Sequence, residues 1–293
     1  MTELRGTFAV LATPFDEDEE INYSGLEHNI NWNIDNGVHG IIPLGSTGEF
    51  TTLSKEESNE LLNFVIKEVD GRVPIIAGTS ADSTSAVIEK SKYAEAAGVD
   101  GLLILPPYYF NPLQEEMVNH YSLINDEVNI PVMVYNNPGV TNVDIQLETV
   151  LELSKKENIN YIKESTGDII RLRDIENKTN EITTFCGCDE LALESFFAGA
   201  QGWVSVISNA FPGLSAELFE VAANQKDYEK AREIYDKLLP FCKELEGSGK
   251  LVQVIKYLMD RRGAVGGYSK EPKLPLTKEY KYKLDKMLEK VNN

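Results

Sequence analysis

Residues 74–105 read PIIAGTSADSTSAVIEKSKYAEAAGVDGLLIL, and the fold turns on how this stretch is understood. An apolar run, Pro74–Ala77, leads into an amphipathic stretch, Asp82–Ala97; Gly98 and a second apolar run, Gly101–Leu105, follow. Short runs rich in aliphatic residues suit strands that are covered on both faces. The stretch between them has helical length, and Gly98 sits where a helix has to stop. The segment therefore reads as strand, helix, strand.

The same alternation extends in both directions. Further short apolar runs lie at Phe8–Ala12, Gly40–Pro43, Pro131–Tyr135, Tyr161–Glu164, Ile182–Cys186 and Gly202–Val206. Ser54–Val69 reads as another helix, opened by a capping box of Ser54 and Glu57. Gly37 marks a further helix end. Eight β units, each followed by a helix, predict an α/β fold of the closed (β/α)8 TIM barrel type rather than an open sheet. After Val206 no strand pattern recurs. Three helical stretches, at about Lys226–Leu245, Gly249–Arg262 and Thr277–Val291, predict a C-terminal helical extension. The expected division is a barrel at residues 1–224 and an extension at residues 225–293.

The chain of 293 residues is long enough for one such barrel. Its formal net charge is −19. A surface this acidic repels phosphate backbones and anionic lipid, so neither nucleic acid nor a membrane is an expected partner. No apolar run approaches the roughly 20 residues needed to span a bilayer. Cys186, Cys188 and Cys242 form an odd, sparse set without a signal peptide, which points to a reducing cytoplasm. Neither these cysteines nor His28, His39 and His120 cluster as zinc ligands do. No metal and no other cofactor is expected.

In such a barrel, chemistry sits at the C-terminal ends of the strands. Lys163 ends the sixth apolar run. Burial there disfavours the ammonium, and a neutral amine is a nucleophile towards ketones, the entry to Schiff-base catalysis. The alternative is an ion-paired lysine, with Glu164 or Asp189 as partner. Tyr135 ends the neighbouring run, where a phenol could carry protons to and from a carbinolamine. Alternatively it is a tyrosine bonded to a backbone carbonyl. Gly45-Ser46-Thr47-Gly48-Glu49 suits a small carboxylate, because two glycines let the amides turn inward and the helix that follows adds a positive end. It lacks the Gly-Lys-Ser/Thr of a nucleotide loop, and a tight helix-capping turn would read the same way.

Taken in order, Thr13-Pro14-Phe15, GSTGE (45–49), PPYYFNP (106–112), YNNPG (135–139), IKES (162–165) and GWVS (202–205) resemble the dihydrodipicolinate synthase / N-acetylneuraminate lyase family. The resemblance covers essentially the whole chain. It implies a Schiff-base lysine at Lys163 and an acid/base tyrosine at Tyr135. It implies a grip on the substrate carboxylate by Ser46 and Thr47, with Thr47 also in a proton relay. Tyr109 matches a relay tyrosine often supplied to a neighbouring subunit, and the backbone at Gly187 and Val204 matches the pocket lining. Asn137 and Ser165 are candidate contacts to substrate hydroxyls. A homotetramer built of dimers, or a homodimer, is implied.

The synthases of this family usually carry an arginine two positions after the proline of the YNNPG motif; here that position is Val140. The expected function is therefore that of a catabolic member acting on a 2-oxo acid, either a 2-keto-3-deoxy acid or a hydroxypyrroline carboxylate. One alternative is 4-hydroxy-tetrahydrodipicolinate (dihydrodipicolinate) synthase, condensing pyruvate with aspartate semialdehyde. Another, from a different class, is a non-catalytic barrel that binds a 2-oxo acid. A phosphate-binding isomerase is disfavoured by the acidic Cys186-Gly187-Cys188-Asp189 segment.

Overall fold

The computed structural model describes residues 4–291. Eight strands form one parallel sheet: β1 (Gly6–Val10), β2 (Gly40–Ile42), β3 (Ile76–Gly78), β4 (Gly101–Ile104), β5 (Val132–Asn136), β6 (Ile159–Glu164), β7 (Thr183–Cys186) and β8 (Gly202–Ser205). Their order is β2-β1-β8-β7-β6-β5-β4-β3. A parallel bridge between Ile41 and Ile75 joins the two outer strands and closes the barrel. Each apolar run of the sequence contains or overlaps one strand, shifted by two residues at most. The chain is a (β/α)8 barrel with C-terminal helices.

The period of two along each strand explains why the runs look uniformly apolar. Along β1 and its continuation, Phe8, Val10 and Ala12 point into the cluster that fills the barrel and continues under the C-terminal helices. Ala9 and Leu11 point the other way, into the layer between barrel and outer helices. On β6 the same alternation sends Tyr161 inward and Ile162 outward. Lys163 is thus aimed at the barrel axis by register alone.

The helices start and stop where their caps allow. Ser54 and Glu57 close the expected capping box on Lys55–Val69. Thr84–Ala97 begins after Ser83, because Asp82 accepts from the amides of Tyr108 and Tyr109 instead. It ends at Gly98, whose φ of +97° is left-handed. The helix expected after the eighth strand is Pro212–Phe219, whose bounds the sequence did not mark. Pro212, Ser215, Ala216, Leu218 and Phe219 are all buried, so it shows no polar face to betray its period. A single π turn follows it, and Lys226 adopts a left-handed conformation. The long helix therefore runs Tyr228–Gly247, capped by Asp227, rather than starting at Lys226. The last two helices are Leu251–Arg262 and Lys278–Val291. No helix among the described residues is long and apolar enough to cross a membrane.

The C-terminal helices are fastened to the barrel by charge as well as by packing. Leu238, Phe241, Leu245, Val254 and Leu258 share one cluster with the barrel interior. Lys256, 2% exposed, places Nζ 2.6 Å from Oε1 of the buried Glu49. Lys273 Nζ lies 3.0 Å from the other carboxylate oxygen. Burial pushes the Lys256 ammonium down to about 8, against the opposing pull of Glu49. Removing one member of a buried pair strands the other charge. Lys256→Met should lower the unfolding free energy by about 3 kcal/mol, read from the shift of the urea midpoint. A shift smaller than the scatter of repeat titrations would show that Lys273 alone satisfies Glu49.

Candidate active site

A cavity of about 460 Å3 opens at the C-terminal ends of the strands, and Lys163 and Tyr135 both line it. The two residues are register partners on adjacent strands, β5 and β6. Lys163 is 5% exposed, and its Nζ lies 3.8 Å from the centre of the Tyr135 ring.

The ion-paired reading of Lys163 is overturned. Glu164 points away from the cavity, accepting from Asn136 Nδ2 (3.1 Å) and Arg171 Nε (3.0 Å). Asp189 accepts from Trp203 Nε1 (2.9 Å) and from the amides of Val206 (3.1 Å) and Ile207 (2.7 Å). Burial, and then neighbouring Glu246, push the Asp189 carboxyl up to about 7, while those donors pull it back. Among the described residues no carboxylate lies at ion-pair distance from Lys163 Nζ.

Tyr135 is not bonded to a backbone carbonyl either. Its hydroxyl accepts from Asn137 Nδ2 at 3.0 Å. An amide NH2 is only a donor, so this bond occupies a lone pair of the phenol and leaves its O–H free to point into the cavity.

Space for the lysine depends on Gly187, which also lines the cavity. A Cβ there would fall 1.8 Å from Ser165 Oγ and 2.9 Å from Lys163 Cε. Ser165 Oγ is buried and has no protein partner among the described residues. Burial pushes the nearby thiols up, Cys186 to about 12 and Cys188 further, so neither supplies a thiolate.

Ser46 and Thr47 stand on the opposite wall with Gly45. They lie in a 310 turn, Ser46–Gly48, closed by hydrogen bonds from Gly48 N to Gly45 O (3.0 Å) and Glu49 N to Ser46 O (3.1 Å). A second 310 turn, Phe50–Thr52, separates this loop from the helix Lys55–Val69, so that helix does not follow the loop directly as expected. Glu49, left-handed at φ +59°, carries the loop onto the Lys256 pair.

One expected lining residue is not on the wall. Val204 is fully buried in the core, and Val206, two residues on at the strand end, lines the cavity. Tyr109 is 78% exposed on the loop after β4, beside Phe110 at 69%. Val140 does line the cavity, at its rim, and is 52% exposed. Arg171 does not substitute for an arginine there. It is held by Glu164, Asp144 and the carbonyl of Ile145. Among the lining side chains Lys163 is the cation and Glu246 the carboxylate. Glu246, Leu251 and Val252 come from two C-terminal helices, where nothing in the sequence marks them as facing the cavity.

A closed parallel barrel with one lysine inside a small cavity at the C-terminal ends of its strands defines the class, a (β/α)8-barrel lyase. A family model described as the dihydrodipicolinate synthetase family matches residues 3–291. The 4-hydroxy-tetrahydrodipicolinate synthase of Pseudomonas putida is 39% identical over 94% of this chain and 92% of its own. Among solved structures, the chloride-inhibited dihydrodipicolinate synthase of Acinetobacter baumannii complexed with pyruvate superposes with a TM-score of 0.95 at 32% identity, covering 99% of each chain. The 4-hydroxy-tetrahydrodipicolinate synthase of Methylacidiphilum fumariolicum gives 0.94 at 34% identity, covering 99% of this chain and 96% of its own. The chain belongs to the dihydrodipicolinate synthetase family.

Asn137→Val removes the one hydrogen bond that directs the Tyr135 hydroxyl. A neutral hydrogen bond contributes about 0.5–1.5 kcal/mol, so turnover should drop roughly 3- to 10-fold with KM less affected. Steady-state kinetics that show a rise in KM alone would show that the bond from Asn137 does not serve the hydroxyl of Tyr135 in turnover.

Proposed function

We propose that the protein is a Schiff-base-forming lyase acting on pyruvate or a longer 2-oxo acid. The observation that carries this reading is a buried lysine at the mouth of the barrel, unpaired and resting on a tyrosine ring. The amine of Lys163 adds to the ketone carbon. Tyr135 delivers a proton so that water leaves and an imine remains. Thr47 completes the relay, and Ser46 and Thr47 hold the substrate carboxylate through hydroxyls and amides. Gly187 and Val206 shape the floor, while Asn137 and Ser165 face the hydroxyls of the substrate.

The preferred substrates are a 2-keto-3-deoxy acid or a hydroxypyrroline carboxylate. Val140 supports this choice, since it offers no donor to a second carboxylate, and Arg171 is engaged elsewhere. The second reading, condensation of pyruvate with aspartate semialdehyde, is favoured by the names of the relatives. The unpaired thiols of Cys186, Cys188 and Cys242 fit a cytoplasmic enzyme. Tyr109 and Phe110 would form an unusual apolar patch if left in water. They are proposed to pack on a twofold-related copy in a homodimer or homotetramer, with Tyr109 serving the neighbouring site.

Pyruvate with borohydride should add a pyruvate-derived mass to Lys163 and inactivate the enzyme. Lys163→Ala and Lys163→Arg should take up none, and labelling at any other residue would sink the mechanism. The same preparation, assayed with both substrate classes, decides between the two readings by kcat/KM. Tyr109→Phe should lower turnover without changing the sedimentation coefficient; a fully active monomer at micromolar concentration would contradict the shared site.

A further inference from the structure

The carboxylate of Glu246 faces the same cavity as Lys163 from the end of the helix Tyr228–Gly247. Its neighbours on that wall, Leu251, Val252 and Val140, carry no hydrogen-bonding side chain. The loop of Ser46 and Thr47 and the lysine lie on other parts of the lining, so a 2-oxo acid held by them extends its distal end towards this wall. Glu246 is an exposed residue at the open side of the cavity. Partial burial raises its carboxyl overall and Glu190 adds to this, while Lys163 and a hydrogen bond from the Asp189 backbone pull it down. It ties up no cation, since among the described residues no ion pair holds it. No arginine or second lysine shares the lining to offset its charge.

We infer that Glu246 determines which partner the enzyme accepts: it repels a distal carboxylate and accepts hydrogen bonds from distal hydroxyl or ammonium groups. The inference rests on the Schiff-base reading and adds to it a specificity residue outside the barrel strands. A charge fixed in a small cavity discriminates most strongly between substrates that differ in charge at that end.

The test compares two condensations of pyruvate, one with succinic semialdehyde, which ends in a carboxylate and carries no ammonium, and one with glyceraldehyde. In both, the enamine carbon of lysine-bound pyruvate bonds to the aldehyde carbon, and the resulting alkoxide takes a proton. The readout is the ratio of the two kcat/KM values in wild type, Glu246→Gln and Glu246→Asp. Glu246→Gln should move the ratio towards the anionic aldehyde by about tenfold or more, and Glu246→Asp, which keeps the charge, should retain the wild-type preference. A ratio within twofold of wild type in Glu246→Gln overturns the inference, as does a shift in the opposite direction.

Borohydride trapping with pyruvate, run on wild type and Glu246→Gln, separates this failure from that of the underlying reading. Adducts in both proteins with an unchanged ratio defeat only the role of Glu246. An adduct in wild type that is lost in Glu246→Gln also overturns it, because Glu246 would then serve imine formation. An adduct in neither removes the Schiff-base reading and this inference with it.

Discussion

The buried carboxylate of Glu49 is the constraint on which the rest of the structure turns. It belongs to the loop that carries Ser46 and Thr47, yet its partners, Lys256 and Lys273, lie more than two hundred residues later. A charge that deep is tolerable only when countercharges are placed against it. Meeting that requirement draws the helix Leu251–Arg262 onto the mouth of the barrel and forces the loop into a left-handed turn at Glu49. The same contact brings Leu251 and Val252 to the cavity wall. The interaction that anchors the C-terminal helices is therefore also the one that shapes the pocket.

Register does the remaining work inside the barrel. Tyr161 faces inward, so Lys163 must as well, and pairing of β5 with β6 sets Tyr135 beside it. No special backbone conformation is needed at either residue. The cost falls on the neighbouring strand end, where Gly187 leaves out a side chain so that the lysine has somewhere to lie.

Much of this was legible in the sequence, for physical reasons that differ between parts. The strands showed because burial on both faces demands aliphatic runs, and the helices showed where they keep one wet face. The bounds of the helix Pro212–Phe219 did not show, because it is wrapped on nearly all sides. Lys163 and Tyr135 stood out because a lysine ending an apolar run is costly without a purpose. Val204 lies two residues before Val206, which lines the cavity, and both belong to the cluster that fills the barrel. Glu246 and the Glu49–Lys256 pair were invisible. Each is an ordinary charged residue on an amphipathic helix or loop, and only the packing of distant segments gives it a destination.

The barrel also imposes an order of events on the growing chain. β1 is paired on one side with β2 and on the other with β8, so its second edge stays bare until residues 202–205 have been made. Glu49 waits longer still, since its countercharges lie at 256 and 273. A nascent chain that has reached only residue 200 thus has both an unpaired strand edge and an unmatched acid. Contacts this distant in sequence close slowly.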